Sequence, residues 1–172
     1  MGSEPGAPST ATHAATHAVG QEAGEKQTRF RIFVIDSGWN SAASKVLHSN
    51  MAVLKGLTRW DPIYVLDQAT SIAVIHEHGD LIGRDPIISV HDLWAIHRHG
   101  HTREHGFRFH LGLLRKEDEA LAALQMFANF LARFRLSADL EDHVHRQLRK
   151  AGIGGAIEII GGAAAHQFEM VE

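Results

Sequence analysis

Phe30-Arg31-Ile32-Phe33-Val34-Ile35, closed by Asp36-Ser37-Gly38, is the stretch that decides the fold class. Its apolar, β-branched run cut off by turn formers predicts a buried strand. The residues after it follow a different period. From Ser41 to Leu57, the side chains of Val46, Leu47, Met51, Leu54 and Leu57 return to one face at helical spacing. Asn40 or Ser41 is placed to accept the free N–H groups at the start of that helix. Asp61-Pro62 then breaks the chain, and Ile63-Tyr64-Val65-Leu66 predicts a second buried strand. Strand, helix, strand in this order implies a parallel pair with a right-handed crossover, and so an α/β protein.

Downstream, residues 69–83 suit either a short helix or one arm of a hairpin turning at His78-Gly79-Asp80, and the helix is preferred. Pro86 opens a third strand, Ile87-Ile88-Ser89-Val90, at a position where no ladder donor is needed. Residues 107–114 predict a fourth strand, antiparallel to the third. Glu117 to Phe134 is the strongest helix, with acids in its first turn, Arg133 in its last and an apolar stripe through Leu121, Leu124, Phe127, Ala128 and Leu131. Phe127, Phe130 and Phe134 widen that stripe beyond one face, so the helix needs a second cover. A helix over 138–151, carrying Leu140, Val144 and Leu148, or a second subunit would supply it. Ala156 to Ile160 predicts a short edge strand. Residues 1–28, rich in Ala, Thr and His, predict a tail with too little apolar surface to order itself, leaving one domain over 29–162 and a frayed end over 163–172.

Among 172 residues, 44% are hydrophobic and 22% charged, as in ordinary globular proteins. A net charge of −3 provides no global basic field for nucleic acid or an anionic membrane. No run approaches the roughly 20 apolar residues needed to span a bilayer. Met1-Gly2-Ser3-Glu4-Pro5 lacks the features of a secretory signal, so a cytoplasmic location is expected. The chain has no cysteine, which excludes disulfides, thiolate metal ligands and thiol nucleophiles.

At the head of the first helix stands Trp39-Asn40-Ser41-Ala42-Ala43-Ser44-Lys45, and Asp85-Pro86 opens the third strand. Together with the element order, these residues resemble the thioredoxin fold over about 30–134. The resemblance implies a βαβαββα three-layer sandwich, here extended by a C-terminal helix and a short strand. It also implies that Asn40 and Ala43 occupy the positions where relatives carry cysteines. Without an attacking thiolate, disulfide exchange is impossible there. What the resemblance leaves is a surface for docking a protein or peptide, formed by Trp39, Asn40, Ala43, Asp85 and Pro86.

Histidine is the outlier of the composition, at 14 residues. Most conspicuous is His97-Arg98-His99-Gly100-His101-Thr102-Arg103-Glu104-His105-Gly106, with His91, Asp92 and His110 on its flanks. In an extended segment His97, His99 and His101 share a face, and His105 or His110 would complete a set for Zn, Ni, Fe or Cu. A solvated or pH-responsive interaction loop fits the same residues. His76-Glu77-His78 could add ligands or form an exposed turn. Asp36 and Asp67 follow predicted strands, where acids hold magnesium or act as acid and base, but helix capping and turn formation also explain them. Neither a serine-nucleophile elbow nor a glycine-rich phosphate loop is present. The expectation is a non-enzymatic binding protein, an adaptor or assembly factor that self-associates. The alternative is a histidine-ligated metal protein or metal-dependent enzyme.

Overall fold

The structure, a computed structural model, describes residues 27–38, 40–95 and 105–161. It is a mixed α/β arrangement around an open five-stranded sheet, with strand order β2-β1-β3-β4-β5. Strand β1 (Phe30–Ile35) is followed by α1 (Ala42–Ser49), α2 (Met51–Leu57), β2 (Ile63–Val65) and α3 (Gln68–Glu77). Then come β3 (Ile87–Asp92), β4 (Gly106–His110), α4 (Glu117–Phe134), α5 (Leu140–His143) and β5 (Ile157–Ile160). The expected parallel pair is present, with Ile32 opposite Ile63. Strand β3 runs antiparallel to β1 along its whole length, from Phe30 opposite Asp92 to Ile35 opposite Ile87. The expected antiparallel pairing of β3 with β4 holds as well, and β5 adds to the far side of β4.

Alternation along the strands sorts the core. Phe30, Ile32, Val34, Ile88, Val90, Phe107 and Phe109 point to one face and are buried with Leu47 of α1, Leu54 of α2 and Leu124, Phe127 and Leu131 of α4. Phe127 stacks on Phe109 at 4.8 Å between ring centres and meets Phe107 edge-on at 5.8 Å. On the opposite face, Ile35 and Ile87 pack against Ile75 of α3 and Leu81. The second cover of α4 comes from the same chain. Leu140, Val144, Leu148 and Ile153 join its core, and Phe134 stacks on His143 at 4.2 Å.

Several expected boundaries shift for physical reasons. The single helix expected over 41–57 is two, because Asn50 leaves helical geometry (φ −109°, ψ 10°) while its side-chain amide donates to the Val46 carbonyl at 2.8 Å. Strand β2, expected to be buried, is the outer edge of the sheet, and Tyr64 and Val65 are each 47% exposed. The ambiguous segment 69–83 is helical through Glu77 and closes with a 3₁₀ turn over Gly79–Leu81. Strand β4 ends at His110 rather than continuing to 114, since Leu111–Leu113 form a 3₁₀ turn. The C-terminal helix passes from α5 into a π-helical stretch over Val144–Ile153, and Gly152 adopts φ 85° there.

The open end of β1 is held by a buried ionic cluster. Arg29 donates to both carboxylate oxygens of Asp92, and its Nη1 also reaches the carbonyls of Arg135 and Ser137 beyond α4. Asp61 accepts the N–H groups of Arg29 and Phe30 at 2.8 and 2.9 Å and pairs with Nε of Arg135 at 2.9 Å. These charged groups are buried but mutually satisfied, the condition under which buried charge is tolerated. Among the described residues no helix is long and apolar enough to cross a membrane.

Candidate functional site: a cleft at the carboxyl end of β1

Where β1 leaves the sheet, hydrogen bonds to side chains organise the chain. Asp36 is buried; its Oδ1 accepts the N–H of Gly38 and the hydroxyl of Ser44, both at 3.0 Å. Its Oδ2 accepts from Nε2 of His48 at 2.9 Å, while its own N–H donates to Ser71 on α3 at 3.2 Å. The turn continues through Gly38 (φ 79°) and Asn40 (φ 49°) to Ser41, whose hydroxyl caps α1 by accepting the N–H of Ser44 at 3.0 Å. Gly38 suits its positive φ, and a Cβ there would lie 2.9 Å from Nε2 of Gln68, displacing the amide that donates to the Ser37 carbonyl at 2.9 Å.

The opposite wall comes from the loop before β3. Asp85 precedes Pro86 through a cis peptide bond, and its Oδ2 accepts the Ser37 N–H at 3.2 Å together with a short bond from the Ser37 hydroxyl. The turn after β1 and the loop before β3 are therefore directly joined. Gly112 lies against the backbone of this loop, its N–H donating to the Pro86 carbonyl at 3.2 Å. A Cβ at Gly112 would fall 1.9 Å from the Asp85 carbonyl oxygen, so only glycine fits.

A cleft of about 700 Å³ opens beside this junction. Ile72 and Ile75 of α3 and Ile82 form its apolar surface, Ser37, Ser41 and Asp85 its polar floor, and His76 and Arg115 contribute to its lining. Such a mixture of apolar wall and few polar groups is typical of ligand sites. Among the described residues no ion pair or hydrogen bond engages the side chain of Arg115 or His76.

The expected docking residues are placed unequally. Asp85 borders the cleft and Asn40 is exposed at the turn, whereas Pro86 is buried and Ala43, 1% exposed, belongs to the core beneath α1. Trp39 lies outside the described residues, as do His97, His99 and His101 of the expected metal set. His105 is half-buried just before β4. His110 is 2% exposed, and its Nε2 donates to Glu158 at 2.8 Å, while among the described residues Nδ1 has no hydrogen-bond partner. That hydrogen bond holds the Glu158 carboxyl below its usual range, against the opposing effect of burial and with help from Arg108. Among the described residues no group of three or more histidines, aspartates or glutamates is arranged to hold a metal ion.

No family model, curated protein or solved structure matches the chain.

The two aspartates after β1 and β2 have structural partners. Asp67 caps α3 by accepting from Thr70, its N–H at 2.8 Å and its hydroxyl at 3.0 Å, and these bonds lower its carboxyl pKa. Asp36 pins the turn to α1 and α3. Sequence reasoning missed Ile82 and Arg115, and missed the bond from Ser37 to Asp85, whose partners lie 48 positions apart with no periodicity between them.

Proposed function

We propose that this chain is a non-redox, thioredoxin-like binding protein, an adaptor or assembly factor that docks a protein or peptide segment in the cleft beside Ser37 and Asp85. The observation that carries the proposal is the cleft itself: an apolar wall of Ile72, Ile75 and Ile82 beside a polar floor fixed by the bonds between Ser37 and Asp85. The order of elements, and the bond from the turn after β1 to Asp85, support this reading. With no cysteine at Asn40 or Ala43, the site is left with recognition rather than electron transfer.

The metal-binding alternative depends on His97, His99 and His101, which lie outside the described residues; of the same set, His110 donates Nε2 to Glu158, and among the described residues its Nδ1 has no hydrogen-bond partner.

Site-specific photo-crosslinking tests the docking function. A benzophenone amino acid replacing Ile82, which is 64% exposed, should capture one defined protein from native extract, and Ile72→Asp in the same chain should abolish the product. The same label at Leu136, remote from the lining of the cleft, should capture none. Equal products from both positions, or none from Ile82, would overturn the proposal.

A further inference from the structure

The cleft presents three kinds of recognition group together. Ile72, Ile75 and Ile82 offer a branched apolar surface. Arg115 is exposed and, among the described residues, has no carboxylate partner, so its guanidinium can form a forked pair with an incoming anion. Asp85 directs Oδ2 to Ser37, and among the described residues Oδ1 has no hydrogen-bond donor. An acceptor, a cation and an apolar wall in one cleft match a group that carries an N–H donor, a carboxylate and an apolar side chain. The C-terminal residue of a polypeptide has these three parts on a single Cα. A fatty acid would satisfy the wall and Arg115 but bring no donor to Oδ1 of Asp85.

We infer that the cleft recognises the free C-terminus of a partner polypeptide ending in an aliphatic or aromatic residue. In this geometry the terminal carboxylate binds Arg115, the last amide N–H faces Asp85, and the terminal side chain packs on the three isoleucines. His76 lines the same cleft. This inference rests on the docking function proposed above and specifies which part of the partner is read.

The test uses the full chain with isoleucine methyl and glycine amide NMR signals. The probes are a pool of N-acetylated hexapeptides ending in Leu, Ile, Val or Phe, the same pool amidated at the C-terminus, and decanoate. The acid pool should shift Ile72, Ile75, Ile82 and Gly83 at saturation, and the amidated pool should bind at least about 10-fold more weakly, as expected for a lost charged hydrogen bond. Arg115→Met should remove that difference, and Arg115→Lys should restore part of it. Equal binding of acid and amide pools, or decanoate binding as tightly as the acid pool, would overturn the C-terminal assignment while leaving the cleft as a docking site. If no pool shifts the cleft, the assignment also fails; a surviving cross-link from Ile82 then preserves the docking function, and its absence removes both.

Discussion

Arg29 and Asp92, 63 positions apart, form a two-point ion pair in which Nε meets Oδ1 at 3.2 Å and Nη2 meets Oδ2 at 2.8 Å, at the junction of the start of β1 with the end of β3. Arg29 is 1% exposed and Asp92 5%, so neither charge has water to fall back on. Asp92→Ala should therefore destabilise the fold by about 3–5 kcal/mol, the cost of leaving one member of a buried pair uncompensated. Urea unfolding followed by circular dichroism reads this directly. A loss below about 1 kcal/mol would mean that the pair is effectively solvated.

Glu158 makes stability depend on acid. Its carboxyl titrates below the ordinary value of 4.5 in the folded chain, chiefly because His110 donates to it. A folded-state pKa below the unfolded one stabilises the fold above the unfolded value, and that stabilisation is lost as pH falls through the folded value. Wild-type urea midpoints should decline as pH drops from 6 toward 3, and Glu158→Gln should have a shallower decline over the part below 4.5. Parallel curves would show that Glu158 contributes nothing to the acid limb.

Gly112→Ala should be more damaging than an ordinary exposed substitution. Its new Cβ would lie 1.9 Å from the Asp85 carbonyl oxygen and 2.4 Å from the carbonyl carbon, atoms of backbone that have no rotamer to change. Overpacking of this kind costs about 1–3 kcal/mol, and the displacement would reach the Ser37 contact. A lowered thermal midpoint with shifted amide signals at Ser37 and Gly83 is expected. An unchanged midpoint would show that the loop yields freely.

Asp36→Ala removes the acceptor shared by Gly38, Ser44 and His48. Hydrogen bonds to a buried charged group contribute about 1.5–3 kcal/mol. A loss in that range is expected in chemical denaturation, with faster amide exchange at Gly38 than in the wild type. Preserved exchange at Gly38 would assign the turn to the backbone alone.

How much of this was legible in the residues follows from what carries periodicity. Phe30–Ile35 and Glu117–Phe134 repeat their apolar side chains at strand and helix spacing, and both elements fall where that pattern puts them. Strand β2 has the same composition as a buried strand, yet its edge position depends on which strands flank β1, which no local pattern encodes. Asn50 splits a continuous helical stripe through one side-chain bond to Val46. At the site, Asp85 and Ser37 were visible as separate residues, but their union is a tertiary event between a strand end and a strand start. Ile82 and Arg115 belong to no motif and became visible only as walls of the cleft.

Strand β1 has a buried salt cluster at one end and the cleft at the other, with Arg29 and Ser37 eight residues apart, or about 26 Å at roughly 3.3 Å per residue. It behaves as a beam clamped at both supports, with paired strands on either side. Loosening the Arg29 support should be felt at Ser37 without any change in the cleft's own residues, so damage to the far end of this strand would register as weaker partner capture as well as lower stability.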